Sequence, residues 1–377
     1  MQFDKIIDRT PSYALKWAKY KDSDILPMWI ADTEFRCAEP ILDALKARTE
    51  HGLMGYTLPA DHVGANQAVV DWLARQYDWH ISADSIVWTP GVVPAFNVAC
   101  KALCQPGDKV LIQTPNYPPL IAAPKLNNLV KVDIGTVEID GRWAIDLDEL
   151  EKQAADPKCK LFIICNPMNP VGSVLTEQEL QRIADICLSN NVMLCSDEIH
   201  CDIILDEKAK HIPAGKLPDF KGQAITLMAA SKTFNVAGLG TSFAIIEDPA
   251  TRQKFNSAAR GLVPWVTVLG LTATQAAFTE CDDWHQELLR YLRGNRDYLV
   301  AEIAKINGLK LLAPQATFLA WIDASGLGVE NPQKHFEDLG VGPSPGVDFG
   351  DKNFIRINFG CPRSQLEQAV ARIKAGC

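Results

Sequence analysis

Short apolar runs alternate with helical patterns between about residues 85 and 250, and this alternation most limits the folds open to the chain. One helical stripe follows Thr176 and Glu179, which form the capping-box pair of a helix start. Continuous apolar strands separated by helices are typical of a mainly parallel sheet covered on both faces. The sequence therefore predicts a three-layer α/β domain whose strands include residues 110–114, 161–165, 192–195 and 224–228.

Polar residues follow each of these predicted strands directly. In open α/β sheets, ligands bind beyond the carboxyl ends of the strands, where the loops that follow neighbouring strands meet. We therefore expect one binding site that is built from residues 114–117, 166–172, 197–200 and 231–232.

The pattern of apolar and charged residues changes after about residue 282. A long charged helical pattern over residues 284–306 leads into a tail with strand-like runs at 318–323 and 354–358, and a final helix starts at Ser364. We expect a large domain over residues 46–282 and a smaller α+β domain that combines residues 1–45 with residues 283–377.

The composition argues against several classes of partner. The formal net charge of −9 argues against nucleic acid, since a phosphate backbone requires a basic face. No run reaches the roughly 18 apolar residues that span a bilayer, so we expect no membrane contact, and no signal peptide is visible. The 11 cysteines include no C-x-x-C pair and the histidines show no metal-site spacing. We therefore expect reduced thiols, no metal site and a cytoplasmic protein.

Lys232 follows the apolar run 224–228 after only a few residues. A lysine is rare in such a place, because burying an ammonium is costly unless it is paired or neutralised. A desolvated lysine that loses its proton is a nucleophile that forms a Schiff base with a carbonyl. A surface lysine at a strand end is the plain alternative, and the residues at the other strand ends decide between the two.

A pyridoxal phosphate site needs a lysine of this kind and several further groups. A carboxylate pairs with the pyridinium nitrogen, so that the ring acts as an electron sink. N–H groups at a helix N-terminus hold the phosphate, and a guanidinium binds the substrate carboxylate through two hydrogen bonds. The chain offers a candidate for each role, either at a predicted strand end or in the C-terminal tail.

Several motifs, specific through their order and spacing, lie at residues 27–32, 55–57, 91–94, 166–172, 196–200, 231–235 and 356–363. On these residues the chain resembles fold-type I pyridoxal-phosphate enzymes of the class I/II aminotransferase superfamily. Within that superfamily it is most similar to the MalY/PatB-type cystathionine β-lyases, a C–S lyase branch. The resemblance extends over essentially the whole chain. It implies a PLP-dependent transferase-like fold and pyridoxal 5'-phosphate as the cofactor.

The resemblance implies roles for residues at the predicted strand ends. Lys232 resembles the lysine that holds the cofactor as a Schiff base and moves protons at the substrate α-carbon. Asp197 resembles the partner of the pyridinium nitrogen, with a helix N-cap as the alternative. Asn169 resembles the donor to the ring's phenolic oxygen and Tyr117 the aromatic that stacks on the ring beside the substrate; a turn asparagine and a core tyrosine are their alternatives. His200 stands where many relatives have a tyrosine, and it either reaches the ring or lies behind it.

The phosphate would be bound at the start of a predicted helix that runs to about residue 104. Gly91, Val92 and Val93 resemble the backbone groups that hold it there, and a plain strand-to-helix turn is the alternative. Ser231 adds a hydroxyl. Tyr56 resembles the tyrosine that reaches the phosphate from a neighbouring subunit, which implies a homodimer with shared active sites.

Arg356 resembles the clamp for the substrate α-carboxylate, with a surface arginine on an edge strand as the alternative. Ala31 and Asp32 are expected at the substrate mouth. Two departures from the family pattern stand out. Residues 33–35 read Thr-Glu-Phe where relatives have Met-Asp-Phe, a difference that is expected to alter the side-chain pocket. Gly240 stands where many superfamily members carry a phosphate-binding arginine, which the lyase branch also lacks. The phosphate charge is therefore expected to be met by backbone dipoles, hydroxyls and another cation that the sequence does not identify.

The branch resemblance implies β-elimination from L-cystathionine or related cysteine S-conjugates, with pyruvate, ammonia and a thiol as products. A class I/II aminotransferase is the main alternative, since it uses the same residues. An additional regulatory binding role is a second alternative, because a relative in this branch binds a transcriptional activator. A nucleotide-binding oxidoreductase is disfavoured, since no G-x-G-x-x-G follows the first strand.

Overall fold

The computed structural model describes residues 2–220 and 222–377. The strands are β1 (Leu26–Pro27), β2 (Ile86–Thr89), β3 (Lys109–Gln113), β4 (Val130–Ile134), β5 (Thr136–Ile139), β6 (Arg142–Ile145), β7 (Cys159–Cys165), β8 (Met193–Asp197), β9 (Ala224–Met228), β10 (Ser242–Ile245), β11 (Lys310–Leu311), β12 (Leu319–Asp323), β13 (Val341–Gly342), β14 (Ser344–Pro345) and β15 (Phe354–Asn358). The α-helices are α1 (Leu15–Ala18), α2 (Glu39–His51), α3 (Val63–Tyr77), α4 (Val92–Leu103), α5 (Pro118–Leu126), α6 (Leu147–Ala154), α7 (Glu177–Ser189), α8 (Pro249–Ala259), α9 (Val268–Glu280), α10 (Asp282–Ile303), α11 (Pro332–Asp338) and α12 (Arg363–Gly376).

The central sheet has seven strands in the order β2-β10-β9-β8-β7-β3-β4. The five strands from β9 to β4 are parallel, whereas β10 runs antiparallel to both of its neighbours. This arrangement confirms the prediction of a mainly parallel sheet. Strand β8 continues through Asp197, so this residue ends the strand instead of following it.

Helices cover both faces of the central sheet, because alternate residues of each buried strand point in opposite directions. On β7, Phe162 and Ile164 pack in the hydrophobic cluster that contains residues of α6 and α7. Leu161 and Ile163 pack in the cluster that contains residues of α4, α5 and α8. Within residues 2–220 and 222–377, no helix is both long and apolar enough to cross a membrane.

The capping box predicted for α7 is present. The Thr176 hydroxyl accepts from the Glu179 N–H at 3.2 Å, and the Glu179 carboxylate accepts from the Thr176 N–H at 2.8 Å. The predicted buried thiols are also present, since Cys165, Cys187 and Cys195 are buried free cysteines. Burial raises the pKa of Cys187 to about 12, so its thiol stays neutral.

A second sheet, in the order β11-β12-β15-β14, lies in the C-terminal part of the chain. Strand β1 pairs in parallel with β13, which joins the N-terminal segment to the same part. A single hydrophobic cluster contains Phe3 and Ile373 together with Trp72 of α3 and Phe278 of α9. The division into residues 46–282 and a small domain from both termini stays a prediction.

Candidate active site

One cavity of about 670 Å³ lies beyond the carboxyl ends of the parallel strands. Each of the four polar clusters that follow β3, β7, β8 and β9 contributes to its lining. The residues they contribute are Tyr117, Asn169, Asp197, His200, Ser231 and Lys232. The expected convergence at this sheet edge is therefore present in the fold. Thr114 and Asn166 do not line the cavity; the Asn166 side-chain oxygen accepts from the Leu175 N–H at 3.0 Å, as expected of a turn asparagine.

Lys232 is held on the cavity wall by the backbone of the N-terminal segment. Its Nζ donates to the carbonyl oxygen of Ala31 at 2.7 Å. Burial lowers the pKa of Lys232 to about 8, against a smaller opposing effect of the Asp32 charge. About a tenth of this lysine is therefore a neutral amine at pH 7, and this is the nucleophilic form.

Asp197 presents its carboxylate to the cavity from the end of β8. Its Oδ1 accepts from the N–H of Ile199 at 3.2 Å. Burial raises the pKa of Asp197 to about 7, which means that a buried negative charge here lacks sufficient compensation. The adjacent Glu198 points away, because successive strand residues face opposite sides, and it bonds His211 at 2.7 Å.

Arg356 extends from β15 into the cavity and is fixed by polar groups instead of a carboxylate. Its Nη1 donates to the Asn169 side-chain oxygen at 2.9 Å, and its Nη2 donates to the Trp29 carbonyl at 2.6 Å and to the Ser344 hydroxyl at 3.1 Å. The guanidinium also stacks 4.5 Å from the Phe349 ring centroid. Burial lowers the pKa of Arg356 to about 10, which still leaves it cationic at neutral pH. This geometry fits a cation that receives an anion from a ligand.

Asn169 and His200 both leave a polar atom for a ligand. Since the Asn169 oxygen is occupied by Arg356, its amide group remains as a donor. The buried His200 Nδ1 has no hydrogen-bond partner in the described parts of the chain. Burial lowers the pKa of His200 well below its usual value, and the positive charges of Lys232 and Arg356 act in the same direction. The imidazole is therefore neutral and can donate from one ring nitrogen.

Tyr117 precedes α5 and is half-buried on the cavity wall. Burial raises the pKa of the Tyr117 hydroxyl, partly offset by the nearby Arg356 charge, so the phenol stays protonated. The ring of this protonated tyrosine offers the apolar face that stacking needs. Its hydroxyl edge is close enough to Asp197 and to the expected substrate clamp, Arg356, to feel their charges.

The start of α4 also lines the cavity. Val92 and Val93 are the first residues of this helix, so their N–H groups have no acceptor within it, and Pro94 has no N–H at all. Gly91, directly before the helix, adds no side chain, and Ser231 brings a hydroxyl to the same cavity. These donors form an anion-binding terminus of the expected kind.

Gly240 also lines the cavity, in the left-handed backbone conformation with φ of +56°. This conformation favours glycine over an arginine, so the backbone here is matched to the residue that the chain carries. The cations among the described lining residues are Lys19, Lys232 and Arg356.

Ala31 lines the cavity as expected, but the expectation for Asp32 is wrong. Asp32 is absent from the described cavity lining, and its carboxylate pairs with Arg9 at 2.8 Å and lies 3.6 Å from Lys16. Glu34 joins the same ion cluster through Lys16 at 2.7 Å. Opposite charges nearby draw these carboxylates away from the cavity. The unusual residues 33–35 therefore belong to this cluster and its surroundings, and they do not line the side-chain pocket.

Tyr56 lies outside the cavity of its own chain. Its side chain is fully exposed, and its ring meets Trp265 edge-on at 6.2 Å. The same surface carries the exposed apolar side chains of Leu53, Met54 and Leu262. An exposed apolar patch of this kind marks an interaction site more often than free surface.

The cavity residues fit pyridoxal phosphate on three observations. Burial raises the pKa of Asp197, and a protonated ring nitrogen beside it would offset the cost of its buried charge. His200 Nδ1 and Arg356 Nε are buried atoms without a hydrogen-bond partner in the described residues, so both are available to a ligand. Val92 and Val93, whose N–H groups have no acceptor within α4, line the same cavity as Lys232, and such a helix start suits a phosphate.

Apart from Asn169, the residues that hold Arg356 in place were not identified from the sequence. Ser344 lies in the short strand β14 and Phe349 ends a single turn of 3-10 helix, and elements this short show no periodic pattern. Trp29 belongs to a quoted motif, but its contribution is a backbone carbonyl, which no side-chain pattern reveals. The only sequence signal was that 27–32 and 356–363 were both unusual motifs.

Comparison with known proteins places these residues in a family. The sequence profile described as "Aminotransferase class I and II" matches residues 31–373. Cystathionine beta-lyase PatB of Bacillus subtilis (strain 168) is 36% identical over 390 residues, which cover 100% of this chain and 99% of that protein.

Two solved structures share the whole fold. The crystal structure of OvoB has a TM-score of 0.96 and 42% sequence identity, and the match covers 100% of this chain and 99% of that chain. The PLP-bound C-S lyase from Staphylococcus hominis has a TM-score of 0.92 and 33% identity, with 100% and 98% of the two chains covered. These similarities include the entire set of elements that surrounds the cavity.

Proposed function

The chain belongs to the aminotransferase class I and II family, and we propose that it is a pyridoxal phosphate-dependent C–S lyase. Its substrates are L-cystathionine or related cysteine S-conjugates, and its products are pyruvate, ammonia and a thiol. One observation carries the proposal: Lys232, Asp197 and Arg356 project into one cavity, each with a pKa displaced by burial. The relatives named as cystathionine β-lyase and C-S lyase support this reaction over others in the family.

Bound pyridoxal phosphate supplies an electron sink that stabilises negative charge at the substrate α-carbon. Arg356 binds the substrate α-carboxylate, because its guanidinium is fixed by neutral acceptors and retains its full charge for the ligand. The neutral Lys232 amine takes the proton from the α-carbon, for which a pKa near neutrality is well suited. The bond between the β-carbon and sulfur then breaks, and the sulfur leaves as a thiolate.

The other cavity residues orient the reacting groups. Asp197 would keep the ring nitrogen protonated, since the two opposite charges would compensate each other where the carboxylate is buried. The Asn169 amide and neutral His200 would donate to the ring's phenolic oxygen, and Tyr117 would stack on the ring. The N–H groups of Val92 and Val93 would hold the phosphate, with the hydroxyl of Ser231.

A product assay tests this function. Purified enzyme with L-cystathionine should release pyruvate and a free thiol in equal amounts. Lys232→Ala should lose both products and also the visible absorbance that arises from the bond between the cofactor and this lysine, whereas Lys21→Ala, which removes an exposed lysine, should retain them. Amino-group transfer to a keto acid without pyruvate release would instead assign the chain to the aminotransferases. Absence of both reactions with every cysteine conjugate would refute the proposal.

We also propose that two copies form a homodimer with shared active sites. The surface around Tyr56 and Trp265 supports this, because it joins an exposed apolar patch to a tyrosine that its own cavity does not use. Trp265→Asp should lower the sedimentation coefficient to that of a monomer and weaken cofactor binding. Tyr13→Ser changes an aromatic elsewhere that is even more exposed than Trp265, and it should do neither. A dimer that persists in Trp265→Asp would contradict the assignment of this surface.

The buried free thiols support a cytoplasmic location, because such thiols persist in a reducing compartment. Fractionation of cells that produce the protein at its natural level tests this location. Recovery outside the cytoplasm would contradict it.

A further inference from the structure

The mouth of the active-site cavity carries side chains that the reaction at Lys232 does not use. Lys19, Gln333 and Asp348 line the cavity, and both Lys19 and Asp348 are exposed to solvent. We call these three residues the mouth triad. It presents one ammonium, one amide and one carboxylate within a single cavity that also contains the Arg356 clamp.

Lys19 is held in place at this mouth. Its Nζ bonds to the Glu337 carboxylate at 3.1 Å and lies over the Trp29 ring, 5.2 Å from the ring centroid. The same Glu337 oxygen accepts from the Tyr20 hydroxyl at 2.6 Å and from the Gln333 amide at 3.2 Å. Three donors share this oxygen, so it cannot satisfy the Lys19 ammonium fully, and donor capacity remains for a carboxylate.

Asp348 stands close to the substrate clamp. It directly precedes Phe349, whose ring packs against the Arg356 guanidinium at 4.5 Å. Among the described residues, no salt bridge or hydrogen bond occupies the Asp348 side chain, although it lines a ligand cavity. A carboxylate in this position is suited to an ammonium group carried by the distal end of a substrate.

We propose that the mouth triad binds a second, distal amino-acid group of the substrate. Asp348 receives the distal ammonium, while Lys19 and Gln333 receive the distal carboxylate. The preferred substrates are then cysteine S-conjugates whose sulfur substituent ends in a zwitterion, in preference to simple S-alkyl cysteines. This inference rests on the proposed C–S lyase function and names the substrate class within it.

Four substrates of similar length separate the distal charges. L-cystathionine has both distal groups, and S-propyl-L-cysteine has neither. S-(3-aminopropyl)-L-cysteine keeps only the ammonium, and S-(3-carboxypropyl)-L-cysteine keeps only the carboxylate. Steady-state pyruvate release by the holoenzyme gives kcat/KM for each, and the wild type should prefer cystathionine over S-propyl-L-cysteine by about tenfold or more, since charge-assisted hydrogen bonds are the stronger kind.

Charge-removing variants then assign each contact. Asp348→Asn should raise KM about tenfold for cystathionine and the aminopropyl substrate, through loss of a charge-assisted hydrogen bond, but not for the carboxypropyl substrate. Lys19→Gln should show the reverse pattern for the two single-charge substrates. Glu330→Gln removes an exposed carboxylate that lies outside the cavity lining and should change none of these values.

A binding measurement is independent of turnover. In Lys232→Ala protein loaded with cofactor, calorimetric titration with cystathionine should give a Kd that Asp348→Asn raises by about tenfold. Two results together would overturn the proposed role of the mouth triad and leave the lyase function intact. These are pyruvate release from all four substrates with equal kcat/KM, and a Kd for cystathionine that Asp348→Asn does not change. No pyruvate from any of the four would refute the lyase function itself.

Discussion

Replacing Glu34 with glutamine tests the buried ion cluster that anchors the segment before the active site. Glu34 and Lys16 are 2.7 Å apart, and their side chains are only 4% and 1% exposed. The Glu34 carboxylate also accepts from Arg9 at 3.1 Å and from the Trp17 indole at 3.1 Å. Glutamine keeps the shape but removes the charge and places an N–H₂ group among donors.

The expected cost follows from this geometry. Breaking a buried ion pair by removing one partner costs about 3–5 kcal/mol, because it leaves an uncompensated buried charge. Asp32 lies 3.6 Å from the Lys16 ammonium and offsets part of this cost. We therefore expect Glu34→Gln to lower the free energy of unfolding by about 3 kcal/mol. The substitution should also loosen the Ala31 carbonyl that holds Lys232.

Equilibrium unfolding in urea, followed by circular dichroism, measures the effect. Glu39→Gln is the matched control, since Glu39 pairs with Arg36 at 3.0 Å but is 56% exposed, and it should cost less than about 1 kcal/mol. The double variant Lys16→Met/Glu34→Gln should be more stable than the sum of its single changes predicts, because the unpaired ammonium is gone. A loss for Glu34→Gln no larger than that for Glu39→Gln would refute the reasoning.

Three further predictions concern the charges in the cavity. Arg356→Lys should lower kcat/KM about 100-fold, since an ammonium cannot bind a carboxylate through two parallel hydrogen bonds; steady-state kinetics that change less than tenfold would contradict this. Burial raises the pKa of Asp197 from 3.8 to about 7. In the cofactor-free protein, the protonated form of Asp197 therefore stabilises the fold fully below about pH 4, and this stabilisation is lost as the pH rises through about 7. The stability of Asp197→Asn relative to the wild type should rise by on the order of 4 kcal/mol across that window, and a constant difference in urea unfolding would contradict it. Because burial lowers the pKa of Lys232 to about 8, the rate at which the cofactor-free protein takes up cofactor should rise with pH and level off above about 8. Stopped-flow absorbance measures this rate, and a rate that still rises toward pH 10 would contradict the prediction.

The alternation of apolar strands and helices predicted the part of the site that follows the sheet. Asp197 and Lys232 come together because β8 and β9 are parallel neighbours, so that both carboxyl ends lie at one edge. This proximity follows from local pattern and general sheet geometry. The order of the strands does not, because the position of β10 between β2 and β9 depends on pairing between segments far apart in the chain.

Contacts over long sequence separations were beyond sequence reasoning. The Asp32 carboxylate was expected at the substrate mouth, but Arg9 lies 2.8 Å away and draws it elsewhere. Besides Asn169, the acceptors that hold the Arg356 guanidinium are Trp29, through its backbone, and Ser344. In each case a charged side chain is directed by partners that no local periodicity connects to it.

Desolvation connects the charges of the cavity with its proposed chemistry. Burial lowers the pKa of Lys232 and Arg356 and raises that of Asp197, because the charged form of each group is costly in the cavity without an opposite charge beside it. The ion cluster around Glu34 shows that the same chain does pair buried charges closely where no ligand is needed. The charged groups of the cavity therefore lack partners because they line a ligand site, and not because the chain packs poorly. A ring cation for Asp197 and a carboxylate for Arg356 would each relieve one of these costs, and both ligands should thus stabilise the folded protein as well as react in it.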